Sequence, residues 1–128
     1  MKFSVDTRIF EKFPGLHIGV VVAKGVDNTG ASPELAQALR AQEAAIRSRF
    51  KAEQLGDVPQ IAAWRAAYVS FGAKPKEHRS SIENLCRLVL NGVQLRAISK
   101  LVDAYNGISL KHLVPVGGED LDKMQGDL

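Results

Sequence analysis

Apolar residues recur at helical spacing through most of the chain, and near its start they run together as a strand would. The run LHIGVVVA at residues 16–23, rich in β-branched side chains and set between Pro14-Gly15 and the glycines Gly25 and Gly30, predicts a strand buried on both faces. Residues 2–5 predict a second short strand, and residues 6–13 a single helical turn between the two. Ser32-Pro33-Glu34 then combines a hydroxyl cap, a proline in the first turn and an acid at the positive end of the dipole. It opens a helix predicted over residues 33–54, with Leu35, Leu39, Ile46 and Phe50 inward and Glu43 paired to Arg47 on the solvated face. Gly56-Asp57-Val58-Pro59 ends it and begins another, where Ile61, Trp64, Tyr68 and Phe71 share one face. A buried stripe is expected there rather than a platform for stacked bases, which would display its aromatics on an open surface.

Downstream, Ser80-Ser81-Ile82-Glu83 reads as a capping box. Ile82, Leu85, Cys86, Val89 and Leu90 follow the i, i+3, i+4, i+7, i+8 pattern of a core-packed helix, and Asn91-Gly92 stops it. A further helix is predicted over residues 95–105, with Ile98, Leu101, Val102 and Tyr105 inward, Arg96 and Lys100 outward, and Asn106-Gly107 as its end. Residues 110–116 predict a strand, Gly117-Gly118 a turn, and Asp120 to Lys123 a polar stretch beyond it.

At 128 residues the chain suits a single domain over residues 1–128 with one core. The single Cys86 rules out an intramolecular disulfide and suits a reducing, cytoplasmic setting. The first residues lack the basic-then-apolar order of a secretory signal, and no apolar run is long enough for a membrane helix. His17, His78 and His112 are too scattered for a zinc site, the acids at 119, 120, 122 and 127 lack the spacing of a calcium loop, and no phosphate-binding glycine motif follows a strand. Neither metal nor cofactor is therefore expected. The net charge is only +3, but from Lys74 to Lys100 six basic residues (Lys74, Lys76, Arg79, Arg87, Arg96, Lys100) face only Glu77 and Glu83. Arg79, Ser80 and Ser81 at a helix start add backbone donors suited to a phosphate or carboxylate.

The strings FGAKPKEHRSSIENLCRLVLNG, LRAISKLVDAYN, SLKHLVPVGGEDLDK and the closing GDL resemble the free-standing B3/B4 domain proteins. These are similar to the B3/B4 module of the bacterial phenylalanyl-tRNA synthetase β chain, and the resemblance runs along nearly the whole chain. It sets Asn106 against an Asn of the module and Asp120, Leu121, Asp122 and Lys123 against its Asp-Leu-Asp-Lys run, while Gly117 stands where the module has a His. It implies an α+β domain of several helices packed on a mixed sheet, of which the chain covers the N-terminal part of the family's usual length: either a fragment, or a shortened member that completes its sheet by pairing with another copy through an open sheet edge. The implied partner is tRNA or aminoacyl-tRNA, held by Lys74, Lys76, His78, Arg79, Arg96 and Lys100. The aminoacyl end is expected near Ser80, Ser81, Asn106, Gly117 and Gly118. Hydrolysis of a mischarged aminoacyl-tRNA in trans is the activity the resemblance implies, with no catalytic residue assigned. Two alternatives stay open: a non-catalytic RNA- or protein-binding domain, and a binder of amino-acid-like small molecules.

Overall fold

The computed structural model describes residues 2–128, which separate into two compact units. The larger is Asn28–Gly117; the smaller combines the residues up to Asp27 with Gly118–Leu128. Half of the chain is helical and no strand forms among the described residues, so the expected α+β fold with its mixed sheet is overturned. The helices are α1 (Thr7–Lys12), α2 (Pro33–Arg49), α3 (Pro59–Ser70), α4 (Ser81–Leu90) and α5 (Lys100–His112), with a short 3₁₀ helix over Ala52–Asp57 between α2 and α3.

In the smaller unit the helical turn expected over residues 6–13 forms as α1, and Asp6 caps it by accepting from the Arg8 amide. The run at 16–23 does not form a strand: its residues are irregular and largely exposed, Val21 by 91%. A β-branched run becomes a strand only when a neighbour takes up its backbone groups and side chains, and none does so among the described residues. Residues 2–5 are likewise no strand. Ser4 N donates to Leu128 O (2.8 Å), Leu128 N donates to Lys2 O (3.0 Å), and Lys2 N donates to a carboxylate oxygen of Asp127 (2.7 Å). With no sheet among the described residues there is no sheet edge among them, and the pairing of copies expected through one loses its basis.

The larger unit carries the core. Leu39 and Ile46 of α2, Leu55 of the 3₁₀ helix, Ile61 of α3, Ile82, Cys86 and Val89 of α4, and Leu95, Leu110 and Leu113 form one buried cluster. Burying each such side chain is worth about 1.5–3 kcal/mol. Ser32 caps α2 through its hydroxyl, which accepts from the Leu35 amide at 3.2 Å. That helix ends at Arg49, short of the predicted residue 54, because Phe50 turns into extended backbone and the chain then tightens so that Leu55 is buried.

α5 departs from its prediction at both ends. It starts at Lys100 behind the Ser99 cap and runs straight through Asn106-Gly107 to a left-handed Leu113 (φ 56°). A glycine inside a helix costs about 1 kcal/mol relative to alanine; the burial of Leu110 and Leu113, as α5 packs on α2, offsets it. Residues 110–116 consequently contain the last turn of this helix instead of a strand. Ile98 and Leu101, expected inward, are exposed, and the buried residue of that first turn is Asp103, whose carboxylate accepts from the Ile98 amide (3.0 Å). Among the described residues no helix is long and apolar enough to cross a membrane.

Candidate functional site

α4 begins as its sequence predicts, with the Ser80 hydroxyl accepting from the Glu83 amide at 3.4 Å. The reciprocal half of the capping box is diverted. Glu83 is 1% exposed, and its carboxylate takes a bidentate pair of hydrogen bonds from Arg65 of α3 (Nε to Oε2 3.0 Å, Nη2 to Oε1 2.7 Å). Arg87, one turn along α4, donates to the same carboxylate at 2.9 Å, and Arg79 lies 3.6 Å from it. Three guanidiniums thus converge on one buried carboxylate.

Burial pushes the Glu83 carboxyl up, but the hydrogen bonds from Arg65 and Arg87 and their charges more than offset it, so it lies below the usual carboxylate value. Arg65 is correspondingly raised, chiefly by its bond to Glu83. The fork geometry suits this pairing, since a guanidinium presents parallel N–H groups to two carboxylate oxygens. Arg65 approaches closely over Gly56: a methyl group added there would meet its guanidinium carbon at 2.9 Å. Only a residue without a Cβ leaves that path open.

On the solvent side of the cluster lies a depression of about 390 Å³ lined by Arg65, Pro75, Lys76, Arg79 and Arg87. Four cations line it against the carboxylate of Glu83 and the nearby charge of Asp57 beside Arg65, so a positive surplus remains toward solvent. Arg79 also lines a second, more open depression of about 450 Å³, with Tyr68, Phe71, Glu77, His78 and Asn84 around it. Here the expected buried aromatic stripe is corrected. Only Ile61 of that face is buried; Trp64 and Tyr68 are half-buried, meeting edge to face with centroids 6.2 Å apart, and Phe71 is 56% exposed.

The predicted site residues are distributed unevenly over this geometry. Lys74, Lys76, His78 and Arg79 share one loop, folded by the Glu77 and His78 amides donating to the Lys74 carbonyl (2.9 and 2.8 Å), with Lys74 paired to Glu77 at 3.3 Å. Arg96 is exposed in the extended segment before α5, and Lys100 is the first residue of that helix; neither lines the two depressions. Ser80 is buried, its hydroxyl engaged as the cap, whereas Ser81 is exposed in the first turn of α4. Asn106 is half-buried in the middle of α5, Gly117 closes the larger unit and Gly118 belongs to the smaller one. The expected pocket residues therefore do not line either depression.

Sequence reasoning missed Arg65 altogether, counted Arg87 only as loose charge and read Glu83 as a capping-box acid. The spacing of Glu83 and Arg87 at i,i+4 was readable; the third partner, eighteen residues upstream in Arg65, was not. Cys86, one turn past Glu83, is fully buried, and burial with the Glu83 charge pushes its thiol up to about 11, which removes it as a nucleophile at neutral pH. No cluster of His, Cys, Asp and Glu able to hold a metal occurs among the described residues.

The family model described as the B3/4 domain matches residues 63–128. The chain belongs to the B3/4 domain family. No curated protein and no solved structure shows significant similarity to it. All the residues lining the two depressions, Arg65 to Arg87, fall inside the part of the chain that the B3/4 domain model matches. The arginine-ringed Glu83 is thus a feature of the B3/4 portion itself.

Proposed function

We propose that this B3/4 domain is an RNA-binding module whose partner is tRNA, and that it grips the phosphate backbone at the depression lined by Arg65, Lys76, Arg79 and Arg87. The observation that carries this reading is the surplus of guanidinium donors around one buried carboxylate, open to solvent on one side. Forked guanidiniums match phosphate oxygens as they match carboxylates. Lys74, His78, Arg96 and Lys100 extend the interface as an outer set of cations, and the likeness to the synthetase module supports tRNA as the source of those phosphates. Binding in trans to an aminoacylated tRNA, with Ser81, Asn106 and Gly117 nearest the aminoacyl end, is the finer form of the same proposal. Binding is better supported than hydrolysis, because the Ser80 hydroxyl is occupied as a cap.

A salt titration of tRNA binding, followed by fluorescence anisotropy, tests it. Each phosphate that the protein neutralises contributes roughly 0.7–0.9 to the slope of log K against log salt. Lys76→Gln should lower that slope by about one phosphate's share without altering stability, since Lys76 is exposed. Binding that is independent of salt, or thermal protection by free amino acids with none by tRNA, would reject the proposal. Turnover of a mischarged tRNA would add the hydrolytic half.

A further inference from the structure

The two depressions meet at Arg79, one ringed by cations and the other walled by aromatic and amide side chains. We infer that the second is a subsite for an unpaired nucleobase, so that this B3/4 domain takes single-stranded RNA in preference to a duplex. The inference rests on the phosphate reading above, because Arg79 can then hold the phosphate joined to the base that enters next door.

The chemistry of the walls fits a base better than any purely anionic group. Tyr68 and the largely exposed Phe71 offer ring faces or edges at the C-terminal end of α3. Stacking on such rings tolerates any base, because every base has a π-face. Asn84, exposed in the first turn of α4, and His78 supply hydrogen-bonding groups for a base edge. Glu77 is the one carboxylate on the rim, and Lys74 pairs with it at 3.3 Å. A paired base cannot use these walls, since its edge is already committed and its faces are covered by its neighbours. Phosphate contacts alone do not distinguish the two forms of RNA in this way.

The protein carries its own probe of the subsite. Trp64 is the sole tryptophan and packs edge to face on Tyr68, so a base entering the depression should change its fluorescence. The experiment compares a short single-stranded RNA with a duplex of the same sequence and equal phosphate number, using the full chain. The single strand should bind about tenfold more tightly and alter Trp64 emission, while the duplex leaves that emission unchanged. Phe71→Ala should remove the preference by weakening the single strand alone, and Phe71→Trp, with Trp64→Phe as its background, should keep it; the salt slope should be the same in all. Equal affinity for the two RNAs, or a Phe71→Ala variant that weakens both alike, would overturn the base subsite and leave the phosphate cradle standing. Absence of salt-dependent binding to either RNA would instead bring down the cradle, and this inference with it.

Discussion

Two glutamates, each 1% exposed, are ringed by arginines in the larger unit, and they are used differently. Glu43 of α2 is met by Arg40 (3.0 Å) and Arg47 (3.7 Å) from its own helix, and it accepts the Leu95 amide at 2.7 Å. Those arginines donate onward, Arg40 to the Leu95 carbonyl (2.7 Å) and Arg47 to the Val89 carbonyl (3.2 Å). The cluster fastens α2 to the end of α4 and the segment before α5, with Arg40 Nη1 alone left buried without a hydrogen-bond partner among the described residues. Around Glu83 the partners come from α3, the preceding loop and α4, and among the described residues no backbone carbonyl takes up the remaining donors of Arg65, Arg79 or Arg87. One carboxylate acts as a bolt within the fold. The other holds its guanidiniums in place with positive charge to spare, and it alone lies in the part of the chain matched to the B3/4 domain.

Replacing each carboxylate by its neutral amide should separate the two roles. Glu83→Gln leaves three guanidiniums crowded without a counter-charge, and breaking a buried ion pair from one side costs about 3 kcal/mol. Urea unfolding should report that loss, and millimolar phosphate should restore more stability to Glu83→Gln than it adds to the wild type, by standing in for the missing carboxylate. In acid the sign follows from the lowered Glu83 carboxyl, whose ordinary value is 4.5. A group with a lower pKa folded than unfolded stabilises the protein above its ordinary value and loses that contribution as pH falls through the folded value. The wild-type Tm should therefore drop below about pH 4.5, with a shallower limb in Glu83→Gln. Asp6, lowered by its bond from Arg8, and Glu34, lowered by its own amide and Ser32, leave a residual slope in both.

Glu43→Gln should cost less, about 1 kcal/mol, because the amide oxygen still accepts from Leu95 and both arginines keep their carbonyl partners. Phosphate should give it no extra protection. Equal rescue of both variants would erase the distinction between bolt and cradle.

Neither buried carboxylate was legible in the sequence, and the reason is physical. Glu43 reads as half of an exposed i,i+4 pair and Glu83 as a capping-box acid, since both patterns are local. Their burial depends on Leu95 and Arg65, 52 and 18 residues away. Local chemistry was readable where it acts locally: the caps at Ser32 and Ser80, the prolines that open α2 and α3, and almost the whole span of α4. It misled wherever a distant neighbour decides the outcome. The valines at 20–22 found no partner strand, so a strong β pattern remained irregular. Asn106-Gly107 did not stop α5, because packing of Leu110 outweighed a stop signal worth only about 1 kcal/mol. Most of the basic loop was visible from its charge alone, whereas Arg65, which grips Glu83, was hidden on a helix read only for its apolar face.

The smallest expected effect probes how Arg65 reaches Glu83. Gly56 lies in the 3₁₀ helix with its Cα facing the Arg65 guanidinium, and the nearby charge of Asp57 also favours the cation. In Gly56→Ala the new methyl must displace a side chain that is flexible in itself but pinned by two hydrogen bonds. The guanidinium can swing aside only by giving up part of its grip on Glu83, at a cost of about 0.5–1 kcal/mol. Coupling should then expose the mechanism. Once Glu83→Gln has removed the charge that Arg65 grips, Gly56→Ala should cost almost nothing further, whereas combined with Glu43→Gln, which shares no side-chain partner with Arg65, the two losses should add. Additivity in both pairs would mean that Gly56 serves only its own turn, and that the close approach of Arg65 contributes nothing to holding the cradle.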